Sequence, residues 1–369
     1  MKIGFLSRYD PKNINIWSGS LYHIFHKMME QNQVEIIGNE ILNQLSLFTR
    51  ANFPSNTFIP VDRYSRSLGQ LVSERIDLFE FDLLFLGDLF FNPTAINCPF
   101  VLLSDLTTRD QNQMHDAKID ERHIASCAKL EKLSLDSAFR IIYSSEWAKQ
   151  QAVELYGIDA KKIHVVELGA NIPTPTEYLV DVNMDFCRLV FISNDWVRKG
   201  GDKLLEIYKI LKNEGFPCSL TIIGSNNKEI DLEDSNVTVY SFLDKSKPTD
   251  LEKIGKILSE SHFLVLPTNF DAFGIVFCEA SAFALPSITA NVGGVGQAVI
   301  DGKNGFLLPS DATANDYAQK IKTVFSERDS YLHLRKSSRI EFESRLNWDV
   351  WGEKVNKIFK EAVNEWKTI

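Results

Sequence analysis

No apolar run in this 369-residue chain approaches the roughly 18 positions that a membrane-spanning helix needs. The opening MKIGFLSRYDPKN turns polar too soon for a secretory leader. Neither a span nor an export signal is expected, and the chain reads as cytosolic. A basic surplus is also missing. Lys and Arg total 40 against 49 Asp and Glu, a formal net charge of -9, which excludes a typical nucleic-acid binder. Cysteine is sparse and scattered, at Cys98, Cys127, Cys187, Cys218 and Cys278, with no CxxC or Cys/His cluster. Buried reduced thiols are expected rather than a zinc site or a disulfide framework. No Asp-x-Asp follows a strand pattern, and the DLED of residues 231–234 sits in a polar stretch, so no metal is expected. Short repeats and low-complexity tracts are absent.

What remains is an ordinary globular composition, 44% hydrophobic and 24% charged. A single core rarely grows beyond roughly 250–300 residues, so two domains are expected. Near-continuous apolar runs at 3–7, 34–38, 82–87, 100–104, 140–144 and 163–167 read as parallel strands covered on both faces. Amphipathic stretches at 21–31, 119–137 and 146–156 lie between them as helices. GANIPTPTEYLVDVNMD, residues 169–185, breaks the rhythm with two prolines and reads as a linker. Strands then resume at 188–193, 219–224, 237–241, 263–267 and 287–290, with helices at 202–213, 248–260, 275–283 and 312–328. A last amphipathic helix spans 348–366. The expectation is two doubly wound α/β sheets whose strand-to-helix loops face a ligand cleft.

Three stretches carry chemistry. In LPTNFDAFGIVFCEASAFALPSI, residues 266–288, a strand meets a polar turn and then a helix beginning near Ile275. Its free amides and dipole suit a phosphate, and Gly274 allows close backbone approach. Asp271 precedes that helix and Glu279 lies one turn inside it, placed to accept hydrogen bonds from sugar and ribose hydroxyls. Spacing alone equally allows an acidic cap and a solvated glutamate. In LVFISNDWVRKGGDKLLEIYKIL, residues 189–211, Arg198 and Lys199 sit beside two glycines before a helix, a setting for a diphosphate or a plain basic turn. Near the start, Ser18, Gly19 and Ser20 can cap a long helix and aim its amides into the cleft. Gly294-Val295-Gly296 follows a strand, but Val299 stands where a dinucleotide fingerprint needs its third glycine.

The 266–288 stretch resembles the acidic-x7-Glu motif of retaining GT-B glycosyltransferases, specifically glycosyltransferase family 4. The resemblance implies a GT-B fold: two Rossmann-like domains with parallel sheets facing a cleft. The first, residues 1–172 joined by helix 348–369, would serve the acceptor. The second, 186–347, would hold the nucleotide-sugar. Asp271 would contact the transferred sugar, one methylene shorter than the family's usual Glu, and Glu279 the ribose. Amides of Phe273, Gly274 and Ile275 would meet the pyrophosphate. NVGGVGQAVIDGKNGFLLP, residues 291–309, resembles the family's Gly-Gly loop, with Gln297 where members often have Glu. Lys199 matches the family's phosphate-binding Lys. Ser193-Asn194 replaces its Gly-Arg, so Arg198 would supply the guanidinium and Asn194 would line the donor site. Phe242 and Leu243 fall where members offer backbone to the base. Residues 99–110 hold Ser104-Asp105 and lack the family's His, giving Asp105 as the substitute polar group. His23, His115 and His123 read as ordinary helix-face or surface histidines.

The function implied is metal-independent, retaining transfer of a hexosyl group from a nucleotide-diphosphate sugar, a co-substrate rather than a bound cofactor. The acceptor would be a glycan, a lipid-linked molecule or a protein, in bacterial polysaccharide or glycoconjugate synthesis. A lipid acceptor would bring peripheral membrane contact. The alternatives are an epimerase or phosphorylase of the same fold, and a non-catalytic nucleotide-sugar binder that assists a partner transferase.

Overall fold

The computed structural model describes residues 1–7, 9–37, 80–87, 90, 96–110, 121–178, 182–225, 230 and 233–368. His115 and Asp231-Leu232 lie outside them, as does the side chain of His123. The chain forms two compact units, Met1–Val166 with Trp351–Ile369, and Glu167–Val350.

The first unit contains β1 (Lys2–Ser7), α1 (Ser20–Met29), β2 (Gln33–Ile36), β3 (Leu83–Gly87), β4 (Phe100–Ser104), α2 (Glu121–Ser137), β5 (Arg140–Tyr143), α3 (Glu146–Tyr156) and β6 (Ile163–Val165). The strands form one parallel sheet in the order β2-β1-β3-β4-β5-β6. β3 and β4 are buried at every residue, as their unbroken apolar runs require. The α3 helix begins at Ser145, whose hydroxyl accepts from the Ala148 amide, and ends on left-handed Gly157.

The second unit contains β7 (Cys187–Ile192), α4 (Gly201–Asn213), β8 (Cys218–Ile223), β9 (Val237–Tyr240), α5 (Pro248–Glu260), β10 (Phe263–Leu266), α6 (Ile275–Ala282), β11 (Ser287–Ala290), a short turn of helix α7 (Val295–Ala298), β12 (Gly305–Leu308), α8 (Ala314–Ser326) and α9 (Arg328–Arg345). Its sheet is again parallel, ordered β12-β11-β10-β7-β8-β9. Helix α10 (Trp348–Trp366) begins in this unit and continues in the first. In the first unit its Phe359 packs on Phe85, with ring centroids 5.8 Å apart, and Glu365 pairs with Arg140 at 2.6 Å.

The α/β reading therefore holds: two parallel sheets, each wound with helices. Three elements are not among those expected: the short α7, strand β12 and the long helix α9. The helix expected over 312–328 ends at Ser326, and an 18-residue helix, α9, follows it. Its buried face carries Arg335, Ser338, Arg339 and Glu341, so apolar periodicity does not reveal it. The five cysteines are free thiols, four of them buried.

Both sheets reverse strand order once, between β1 and β3 and between β7 and β10. Loops beyond the carboxyl ends of strands flanking such a reversal are where open α/β sheets bind ligands. In the second unit those loops are residues 193–200 and 267–274. They contain Arg198, Lys199, Asp271 and Gly274.

Candidate active site

The loop after β7 is tied by its own side chains. The Ser193 hydroxyl accepts from the Asp195 amide at 2.9 Å, and Asp195 Oδ1 accepts from the Arg198 amide at 3.2 Å. Gly200 closes the loop in a left-handed conformation at φ 74°, and a Cβ there would lie 2.0 Å from the Pro267 carbonyl oxygen. Only glycine brings this loop so close to the end of β10. The two loops then bond directly. The Asn269 amide donates to the Arg198 carbonyl at 2.8 Å, and Asn269 Nδ2 to the Val197 carbonyl at 3.0 Å.

This contact delivers the charged groups to one place. The Lys199 ammonium donates to Asp271 Oδ2, and both residues are buried. Burial pushes the Lys199 ammonium below its ordinary value, opposed by the neighbouring Asp271 carboxylate. Arg198 donates from Nε to Asp195 Oδ2 at 2.7 Å and from a terminal nitrogen to the Phe270 carbonyl at 3.3 Å; that nitrogen lies 4.0 Å from Asp271 Oδ1. Gly274 is the N-cap of α6, left-handed at φ 90°, with no side chain capping the helix. A Cβ on it would sit 3.3 Å from Asp271 Oδ2, so Asp271, its lysine and the start of α6 share one corner. Phe273 is buried there and Ile275 half-buried.

The Gly-Gly loop after β11 completes the corner. The Gly294 amide donates to the Asp271 carbonyl at 2.9 Å. Further along α6, buried Glu279 accepts from Lys245 at 2.5 Å. At the far end, Arg339 of α9 donates to the Ala282 carbonyl at 2.5 Å, satisfying an otherwise open helix terminus. Sequence reasoning missed Lys245 and Arg339. Lys245 belongs to no motif, and Arg339 lies on the unexpected helix.

Asn194 is exposed, its backbone packed beside Gly224. After β9, Phe242 is 66% exposed and Leu243 half-buried. Within one unit the structure thus joins Arg198, Lys199, Asp271, Gly274 and the Gly-Gly loop.

Ser18, Gly19, Ser20 and Asp105 belong to the first unit. Here the expectation of serine capping is corrected. Gly19 is the N-cap of α1, no side chain supplies a cap bond, and Ser20 is already helical. Trp17, Ser18 and Gly19 are all left-handed, at φ 50°, 55° and 95°. A tryptophan in that region is strained and needs surrounding structure to hold it. Trp17 Nε1 donates to Asp105 Oδ2 at 3.1 Å, tying the loop after β1 to the loop after β4. Among the described residues no group of His, Cys, Asp and Glu side chains suited to a metal appears, and no helix is long and apolar enough to cross a membrane.

Two parallel α/β sheets with a phosphate-suited helix start at the strand reversal of the second define the GT-B class of fold. Solved structures agree. Sucrose-phosphate synthase from Thermosynechococcus elongatus superposes with a TM-score of 0.70 at 16% identity, over 98% of each chain. The Anabaena protein HepE in complex with UDP superposes with a TM-score of 0.67 at 14% identity, over 98% of this chain and 100% of that one. More particularly, residues 183–341, within the second unit, match the family described as Glycosyl transferases group 1. The D-inositol 3-phosphate glycosyltransferase of Gordonia bronchialis is 24% identical over 240 residues, 59% of this chain and 51% of that protein. The capsular polysaccharide biosynthesis glycosyltransferase CapM of Staphylococcus aureus is 26% identical over 253 residues, 63% of this chain and 65% of that protein. The matches thus span about half to two thirds of the length of these curated relatives.

Proposed function

We propose that the chain is a retaining glycosyltransferase of family 4 that moves a sugar from a nucleotide-diphosphate sugar to an acceptor hydroxyl. The observation that supports it is the convergence of Lys199, Arg198 and Asp271 at the uncapped start of α6. Amides at a helix start together with two cations are suited to a diphosphate and to the charge that develops on it as it leaves. Every cation in the corner is already engaged: Lys199 with Asp271, and Arg198 with Asp195. A donor would therefore bind by exchange. Its diphosphate takes Lys199, and the released Asp271 carboxylate turns to hydroxyls of the transferred sugar. Glu279 holds the ribose. The acceptor hydroxyl attacks from the face that the diphosphate vacates, and a leaving phosphate oxygen takes its proton. This chemistry needs no metal.

One relative's name, which places that protein in capsular polysaccharide biosynthesis, supports a reading of the acceptor. A bacterial glycan or glycoconjugate, including a lipid-linked one met at the membrane surface, is the reading carried forward.

Thermal unfolding with UDP-, GDP- and ADP-sugars tests the donor, because a ligand bound only by the native state raises Tm. Stabilisation by one nucleotide series, with release of its diphosphate only when acceptor is added, is the expected outcome. Turnover of donor alone would indicate an epimerase, and binding without turnover a silent binder.

A further inference from the structure

Helix α6 is apolar on almost every side: Phe277, Cys278, Ala280 and Ala282 are buried along with Glu279. Glu279 is 2% exposed, and its single hydrogen-bond partner among the described residues is Lys245, whose Nζ meets Oε1 at 2.5 Å. As a stability device this is a poor choice. Moving a carboxylate and an ammonium out of water costs more than their attraction reliably returns, and an apolar residue would fill the place as well. Nor is the pair an incidental surface contact, since only 21% of the Lys245 side chain is exposed.

The turn that carries Lys245 is built to hold it still. Asp244 Oδ1 accepts from the Ser246 amide at 2.9 Å and from its hydroxyl at 2.7 Å. The Lys247 amide donates back to the Asp244 carbonyl at 2.9 Å. The Asp244 amide in turn donates to Asp250 Oδ2, in the first turn of α5, at 2.9 Å. A lysine on a turn locked at both ends is presented, rather than left to wander.

We propose that Lys245 is a positioning residue for the nucleotide's ribose, acting through Glu279. The inference rests on the donor-site reading above. An ionised carboxylate has about four lone-pair sites, and the lysine engages one of them. The ammonium engages Oε1 and fixes the Glu279 rotamer, leaving the other oxygen to accept from the two adjacent hydroxyls of a ribose. Only a ligand with that diol benefits. A bare diphosphate, held by Lys199, Arg198 and the α6 amides, does not.

Calorimetry of the full chain with UDP, GDP and ADP, and with inorganic pyrophosphate as the probe that lacks ribose, tests this. In Lys245→Ala the nucleoside diphosphate that binds wild type should bind about tenfold or more weakly, the scale of a charge-assisted hydrogen bond. Pyrophosphate affinity should stay within about twofold, and Lys245→Arg should restore most nucleotide affinity. In a Glu279→Gln background, the Lys245→Ala change should add little, because the two act as one unit. Lys245→Met, which keeps the stem, replaces the alanine variant if that fails to fold. Equal nucleotide affinity in wild type and Lys245→Ala, or an equal loss for pyrophosphate, overturns this proposal alone. Failure of wild type to bind any of the three nucleotides overturns the donor-site reading and this one with it.

Discussion

Lys199 and Asp271, 72 positions apart in sequence, form a buried ion pair at the strand reversal of the second sheet. The pair occupies the place where the proposed diphosphate would sit. A cation that must leave an internal carboxylate before it meets its ligand gives up part of that ligand's binding free energy.

Asp271→Asn removes this competition. The expected result has two opposite parts: tighter nucleoside diphosphate binding, by about tenfold, and slower sugar transfer, by about a hundredfold or more. The unliganded variant should also unfold at lower temperature, because Lys199 is left buried without its counter-charge. Calorimetry, steady-state transfer and thermal unfolding on one preparation read all three. Weaker diphosphate binding in this variant would contradict the exchange.

Lys199→Met keeps the aliphatic stem and removes the charge. Transfer should fall by a factor of about a hundred to a thousand, the usual loss of one preorganised stabilising group. Diphosphate affinity should fall with it. Full activity in Lys199→Met would show that the cation takes no part in handling the leaving group.

Gly293 belongs to the loop whose next residue, Gly294, bonds the Asp271 carbonyl. It is left-handed at φ 51°, and a Cβ there would stand 2.3 Å from that same oxygen. Gly293→Ala must therefore push Asp271 or move the loop. Transfer should fall by about tenfold or more, since misplacing a reacting group by about an ångström is costly. The loss should exceed anything explained by a lowered Tm. Asp271→Asn combined with Gly293→Ala should lose little further transfer if the glycine acts by placing that carboxylate.

Much of this corner was legible in the sequence because it is local. A strand followed by a polar turn, Gly274 and a helix is a setting suited to an anion within ten residues, and Arg198-Lys199 beside Gly200 is another. What could not be read was the pairing between them. That Lys199 meets Asp271 follows from β7 and β10 being neighbours, a non-local fact set by the crossover. Lys245 was invisible for the same reason, since its meaning comes wholly from Glu279, 34 positions away. Helix α9 escaped notice because its buried face is made polar by Arg335, Arg339 and Glu341, whose bonds to other elements replace apolar packing. The serines at the start of α1 misled in the other direction. Their composition signals a cap, but the strained turn at Trp17, held by Asp105, leaves the N-cap position to Gly19.

His262 gives the second unit a pH dependence of defined sign. It is fully buried. Its Nδ1 accepts from the Arg188 amide at 2.9 Å, and its Nε2 donates to the Asn183 carbonyl at 2.8 Å. Only the neutral ring tautomer with hydrogen on Nε2 can make both bonds. Burial lowers its pKa from 6.5 to about 4, against the Asn183 carbonyl, which favours the protonated ring. The unfolded chain therefore binds a proton that the folded chain refuses, between these two values. Stability from this residue is complete above pH 6.5 and is lost progressively as pH falls toward 4, by up to about 3 kcal/mol. Chemical denaturation at pH 7.5, 6, 5 and 4.5 should show this decline in wild type. His262→Gln retains a donor and an acceptor but does not titrate. It should be less stable at pH 7.5 and show a shallower decline across the same range. An identical slope in both proteins would place the acid sensitivity elsewhere.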